Sequence, residues 1–190
     1  MGKKILQGKQ TQKVLAFYKP VGVTCTERDP HAEKKIMDMI RYPERLTYAG
    51  RLDKDSEGLI LLTNDGDLIN AMMRGANRHE KEYIVKTDRE ITPDFLEKMA
   101  KGIYLKDLDI TTRECKIEQI GKFTFRIVLT QGVNRQIRRM CEACGYRVKA
   151  LKRIRIMNIL LGDLKPGKWR EVTGEELEQL QRDTGMLNRN

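Results

Sequence analysis

Histidine is nearly absent. His31 and His79 are the only two among 190 residues, so mechanisms that need several imidazoles, three-histidine zinc sites included, are excluded. Long apolar runs are missing as well. Residues 58–63 (G-L-I-L-L-T) form one of the longest, far short of the roughly 20 residues that a membrane-spanning helix requires. The opening M-G-K-K-I-L-Q-G-K-Q is basic without an apolar stretch behind it, and Leu6 stands where a myristoylation signal carries Ser or Thr. These absences lead to the expectation of a soluble, cytoplasmic protein with no membrane partner. Cysteine is sparse: of Cys25, Cys115, Cys141 and Cys144, only the last two form a C-x-x-C, and no second pair completes a zinc site. A disulfide scaffold of this length would hold more, so the cysteines read as reduced, with Cys141 and Cys144 as small apolar residues of a helix.

What the chain has in quantity is charge. Lys and Arg number 37 against 27 Asp and Glu, which gives 37 − 27 = +10, while 39% hydrophobic residues still suffice for a core. The length suits one domain or two small lobes. Residues 14–18 (V-L-A-F-Y) read as a buried strand stopped by Lys19-Pro20-Val21-Gly22. Ile36, Met37 and Ile40 recur at helical spacing, and residues 46–49 and 58–63 look like strands on either side of an acidic loop. After the turn Asn64-Asp65-Gly66, Asp67 is expected to cap a helix carrying Leu68, Ile69, Met72 and Met73. Residues 82–87 return to strand character, and Thr92-Pro93-Asp94 opens a further helix.

Phe123, Phe125, Ile127 and Leu129 alternate with more polar neighbours, the period of a half-buried strand. A helix is predicted from Arg135 to about Cys144, closed by Gly145, followed by one long strand over 148–161. Trp169-Arg170-Glu171-Val172 precedes a last helix opening with the capping box Thr173-x-x-Glu176. Hairpins and helices that do not strictly alternate imply an α+β fold with a mainly antiparallel sheet. Residues 1–13 read as a flexible basic segment, 14–182 as the folded domain and 183–190 as a tail.

The positive charge is concentrated. Residues 135–155 contain Arg135, Arg138, Arg139, Arg147, Lys149, Lys152, Arg153 and Arg155 against Glu142 alone, or 8 − 1 = +7 in 21 residues. A solvated surface normally mixes signs, so the block points to a polyanion, with RNA or DNA favoured. The acidic loop Asp53-Lys54-Asp55-Ser56-Glu57-Gly58 has the glycine of a calcium-binding EF-hand at its sixth place, but Leu61 and Asn64 occupy the ninth and twelfth, where a bidentate Glu is needed. A metal-dependent nuclease using Asp53, Asp55, Glu57, Asp65 and Asp67 is disfavoured because these acids share one loop, strand and turn without a histidine.

Five segments occur together in a familiar order: K-P-V-G at 19–22, G-R-L-D at 50–53, G-L-I-L-L-T-N-D-G at 58–66, K-E-Y at 81–83 and Q-G-V-N-R-Q-I-R-R-M at 131–140. On these the sequence resembles the RsuA/RluB/RluE/RluF family of RNA pseudouridine synthases over residues 14 to about 172, and M-C-E-A-C-G-Y-R-V-K-A-L-K-R-I-R-I-M-N looks most like its RluF branch. The resemblance implies the pseudouridine synthase fold, with a long mixed sheet in two lobes and the active-site cleft between them. It also implies isomerisation of a uridine in ribosomal RNA, of the 23S type by branch, with transfer RNA or a non-catalytic RNA-binding role as alternatives. Members commonly carry an S4-type domain ahead of the catalytic one, and none is expected here.

By resemblance Asp53 is the catalytic carboxylate, and three routes have been put forward for such a group: addition to uracil C6, attack on ribose C1′, or removal of the C2′ proton to give a glycal, the last being favoured. Arg138 matches the position that pairs with this Asp, where a guanidinium favours the charged carboxylate. Tyr83 matches the residue that stacks on the flipped uracil and relays the C5 proton. Arg51, Lys19, Lys81, Arg135, Arg139, Lys152, Arg153 and Arg155 are the expected RNA contacts. The isomerisation adds nothing and oxidises nothing, so neither a metal nor a small-molecule cofactor is expected, and the protein is expected to act on a stem-loop uridine as a monomer.

Overall fold

A computed structural model describes residues 11–25, 35–74 and 78–186. Eleven strands and five helices follow one another in the order β1 (Val14–Lys19), α1 (Ile36–Met39), β2 (Thr47–Tyr48), β3 (Glu57–Thr63), α2 (Gly66–Met73), β4 (Lys81–Thr87) and α3 (Pro93–Lys101). They continue with β5 (Tyr104–Leu105), β6 (Ile110–Thr111), β7 (Lys116–Gly121), β8 (Thr124–Leu129), α4 (Gln136–Ala143), β9 (Val148–Ile156), β10 (Ile159–Leu160), β11 (Trp169–Glu171) and α5 (Gly174–Asp183). Nine strands form one sheet whose main path is β11-β1-β3-β9-β4-β8-β7, and every pairing in it is antiparallel except β3 with β9. Among the described residues no helix is long and apolar enough to cross a membrane.

The first lobe is built on β1 and β3, which are buried on both faces and therefore read as unbroken apolar runs. Val14, Ala16, Tyr18, Leu59 and Leu61 pack on one face with α2 and α5. Leu15, Phe17, Ile60 and Leu62 pack on the other with Ile36, Leu46 and Leu52. The second lobe packs α3 and α4 on a single face of β4, β8 and β9, where Val85, Phe125, Ile127, Leu129 and Leu151 meet Phe95, Met99, Ile137, Met140 and Cys141.

The lobes join at β3 and β9 through two register pairs, Glu57 with Lys152 and Gly58 with Arg153. Gly58 has φ +114°, and a Cβ there would lie 2.2 Å from the Arg153 carbonyl oxygen, so only glycine permits the approach. On its other side Arg153 pairs with Tyr83, while Arg155 pairs with Glu82, which leaves Ile154 as the extra residue of a bulge. Strand faces alternate, so the bulge turns Arg153 to the Tyr83 face and Arg155, two residues on, to the opposite one.

Several expected boundaries are corrected. Asp65, not Asp67, caps α2, because its carboxylate accepts from the amides of Asp67 and Leu68. The strand expected over 148–161 is a hairpin, broken where Met157 takes φ +53° and β10 folds back on β9. The capping box at Thr173 does not form; Glu176 instead binds the Arg170 guanidinium with both oxygens, at 2.7 and 2.9 Å. Phe123 precedes β8 and is exposed, so the alternation begins at Phe125. Of the N-terminal segment, residues 1–10 lie outside the described residues, whereas Gln12 and Lys13 are tied to Asp65 and Asn64. Residues 26–34, including 31–34 at the start of the stretch 31–41 read at helical spacing, lie outside them too, as do 187–190 of the tail.

The joint can be tested by comparing two glycines. Gly58→Ala should lower stability by about 2–5 kcal/mol through overpacking and a left-handed backbone, whereas a Cβ at Gly66 meets nothing within 4 Å. Gly66→Ala, at the first position of α2, should therefore be neutral or slightly stabilising. Urea midpoints that shift equally for both variants would refute this account of the joint.

Candidate active site

The loop from Gly50 to Ser56 is fastened residue by residue. Leu52 plugs the first lobe, and its backbone is held by one thiol: Cys25 Sγ donates to the Leu52 carbonyl at 3.1 Å and accepts from the Leu52 amide at 3.4 Å. Burial pushes the Cys25 pKa up, which keeps the proton needed for the first bond. Arg153 Nη1 donates to the Arg51 carbonyl at 3.2 Å. The Lys54 carbonyl accepts from the Gly22 amide at 2.8 Å and from Lys19 Nζ at 3.3 Å. Ser56 N closes the turn onto the Asp53 carbonyl at 3.0 Å. Asp53 is thereby held at the mouth of a cleft of about 600 Å³, with 38% of its side chain exposed.

The second lobe supplies the opposing wall. Tyr83 from β4 and Leu151 and Arg153 from β9 line the cleft, and α4 contributes Arg138. Arg135 caps α4 in a left-handed conformation, φ +50° and ψ +37°, which is costly for a residue with a Cβ. From there its guanidinium grips both Asp55 oxygens, at 3.0 and 2.8 Å, and approaches Asp53 at 3.5 Å. These bonds hold the Asp55 carboxyl below the usual carboxylate range. Arg138 donates from Nη2 to the Asp55 carbonyl and to Ser56 Oγ, both at 3.1 Å. The two arginines therefore latch the second lobe onto the loop that carries Asp53.

The cleft unites the three expected catalytic residues, Asp53, Tyr83 and Arg138, together with Arg51, Lys81, Arg135 and Arg153. Their expected pairing is revised: Arg135 is the guanidinium at Asp53, and Arg138 is engaged by Asp55 and Ser56. The acids of the loop are divided among separate partners, since Glu57 accepts from the Tyr18 hydroxyl while Asp53 and Asp55 face Arg135.

The expected RNA contacts separate into groups. Lys19 is fully buried, its ammonium donating to the carbonyls of Pro20 and Val23 at 2.7 Å as well as to Lys54, so it is a structural lysine and no RNA contact. Arg153 is 3% exposed and fixed by the Leu59 carbonyl at 2.8 Å, out of reach of an RNA backbone at the surface. Arg155 is committed to Glu80 at 3.0 Å and Glu82 at 2.8 Å on the opposite face of the sheet. Arg139 bonds to Asn134, and Lys152 sets its ammonium 5.6 Å from the centre of the Tyr18 ring. Arg51 remains exposed at the cleft. The sequence reading missed Cys25, Asp55 and Ser56 as supports of the loop; the nearest signal was the density of acids beside G-R-L-D.

The description "RNA pseudouridylate synthase" matches residues 13–143. The dual-specificity RNA pseudouridine synthase RluF of Escherichia coli K12 is 47% identical over 167 residues, covering 88% of this chain and 57% of its own length. An uncharacterized RNA pseudouridine synthase of Aquifex aeolicus is 36% identical over 172 residues, covering 88% and 71%. The ribosomal large subunit pseudouridine synthase B of Vibrio cholerae is 34% identical over 176 residues, covering 88% and 54%. The chain thus spans little more than half the length of its RluF relatives. A crystal structure of a pseudouridylate synthase superimposes with a TM-score of 0.84 at 29% identity, covering 90% of this chain and 75% of the other. By sequence over most of its length and by fold, the chain belongs to the RNA pseudouridylate synthase family.

Proposed function

We propose that this chain isomerises uridine to pseudouridine in large-subunit ribosomal RNA, with Asp53 acting at the ribose of a flipped-out uridine. The observation that carries the reading is the placement of one carboxylate, Asp53, at the mouth of a cleft that also presents the Tyr83 ring and is guarded by Arg135. A base inside a helix cannot be reached, so the nucleotide must leave the stack; the Tyr83 ring then offers a face to rest on, and its hydroxyl a route for the C5 proton. Asp53 takes the C2′ proton as the N1–C1′ bond breaks, leaving a glycal, and returns it to C2′ as the base rejoins C1′ through C5. Nothing is added or oxidised overall, so the reading needs no metal and no cofactor.

Relatives named for the ribosomal large subunit and for RluF support the choice of RNA. A transfer RNA uridine is the second reading, with which a relative named for dual specificity is consistent. On this reading the protein acts as a monomer, in the cytoplasm where these RNAs are found. Mapping pseudouridines by carbodiimide-stop sequencing, with and without the gene, identifies the targets.

Asp53→Asn preserves shape and should reduce tritium release from C5-labelled RNA by about 10³-fold or more while RNA affinity changes little. Full release by the variant would show that Asp53 is not the catalytic carboxylate, and no release by the wild-type protein would leave only a non-catalytic RNA-binding role. Tyr83→Phe should retain affinity and lose turnover, by about 10²-fold or more, whereas Tyr83→Ala should also lose about 1–3 kcal/mol of binding with the stacking face. Near-wild-type rates for both would make Tyr83 an ordinary strand residue.

Salt dependence separates the basic residues. Arg51→Gln should lower the slope of log K against log salt by roughly 0.7 to 0.9. Arg155→Gln, which removes a cation already neutralised by Glu80 and Glu82, should leave the slope unchanged. A lower slope for the Arg155 variant would contradict the sorting of these side chains.

A further inference from the structure

Beside Tyr83 the cleft holds two cations, Lys81 and Arg153, that no acid neutralises among the described residues. Arg153 is 3% exposed, and two of its guanidinium nitrogens are committed, Nε to the Leu59 carbonyl and Nη1 to the Arg51 carbonyl. Its Nη2 is buried without a hydrogen-bond partner among the described residues. A buried donor left unmade is costly, and such groups persist where a ligand completes them. Lys81 lies two residues before Tyr83 on the same face of β4, lines the same cleft, and forms no ion pair among the described residues. Its sequence neighbours Glu80 and Glu82 are turned to the opposite face, where Arg155 holds them. Asp53 and Asp55 are taken by Arg135, and Arg138 adds to the hold on Asp55. Burial, with the nearby Arg153 charge, pulls the Lys81 pKa down to about 8, so the ammonium is still protonated at neutral pH but poorly compensated.

We propose that Lys81 and Arg153 form an anion site for the carbonyl oxygens of the target base, stabilising the uracil anion that exists between N1–C1′ cleavage and C5–C1′ bond formation. The inference rests on the isomerase reading and names the part of the site that handles the detached base. Depth in the protein favours a base over a phosphate: a guanidinium this buried meets only a group inserted into the cleft, whereas the exposed Arg51 stands where a backbone phosphate passes. When the glycosidic bond breaks, its electron pair leaves with the base and spreads over N1, O2 and O4, while Asp53 removes the C2′ proton and leaves a glycal. After the base has turned, C5 of the anion supplies the pair for the new C5–C1′ bond and C2′ recovers its proton from Asp53. The C5 proton then departs by way of Tyr83 and N1 takes one up, so the step consumes nothing. Fixed cations aimed at a charge that exists only along the reaction path lower the barrier without tightening substrate binding.

The test uses Lys81→Met, because the Lys81 side chain makes no hydrogen bond among the described residues, with Lys81→Arg as the charge-retaining control. An in vitro transcript of a bacterial large-subunit ribosomal RNA carries either uridine or 5-fluorouridine, and glycosidic cleavage is followed in single turnover alongside binding. Fluorine withdraws electrons and makes the base a better anion, so it relieves a defect in anion stabilisation. Lys81→Met should slow the uridine substrate by about 10²-fold or more, with little change in affinity. The deficit should shrink at least several-fold on the fluorinated substrate, and Lys81→Arg should recover most of the rate. Wild-type speed for Lys81→Met, an equal deficit on both substrates, or an affinity loss matching the rate loss would each overturn the proposal while leaving the isomerase reading standing. A wild-type protein that forms no pseudouridine on either ribosomal or transfer RNA would overturn that reading and this inference with it.

Discussion

The approach of β9 to β3 at Gly58 is the contact on which the cleft depends. It brings the Arg153 backbone against a residue with no side chain, and it is the single parallel joint in the main sheet. With the joint in place, Arg153 stands between the loop of Asp53, which it holds through the Arg51 carbonyl, and Tyr83 on the neighbouring strand. Two lobes with separate cores thereby share one site. The α4 arginines reinforce the joint from above by gripping Asp55 and Ser56, at the cost of a strained backbone at Arg135.

Residues 135–155 illustrate how one kind of side chain serves several ends. The sequence shows a run of cations and suggests a single polyanion as their partner. In the fold Arg135 and Arg138 lock a loop, Arg153 is buried beneath the cleft, and Arg155 is neutralised behind it. The divergence of Arg153 and Arg155 arises from the bulge at Ile154, a register event between distant strands that no local pattern in the sequence reports.

What was legible depended on where the determining force lies. β1 and β3 were readable because burial on both faces leaves an unbroken apolar signature, and Thr92-Pro93-Asp94 because a cap is a local bond: Thr92 Oγ1 does accept from the Phe95 amide. The grouping of Asp53, Tyr83 and Arg138 was legible through the motifs and not through periodicity. Partners set by tertiary geometry were not legible. Glu176 had the right spacing to cap α5 but found Arg170 instead, and Asp65, two residues before the one expected, caps α2. Lys19 looked like a surface cation; only the folded turn reveals three carbonyls converging on its ammonium.

The order of strands also has a meaning in time. The second lobe, from β4 through β8 and α4, is made of consecutive chain and can assemble as soon as it is synthesised, although its β9 arrives last. The first lobe cannot, because β1 pairs with β11 through Leu15 and Glu171, and its core takes in Val172 and Leu180. Of the described strands, β1 leaves the ribosome first and waits for β11, with an apolar edge that must be kept from other partners in the interval. The last residue of the cleft wall, Arg153, is made before β11 and α5 close the first lobe, so a partly made chain carries the carboxylate on a lobe that is not yet complete.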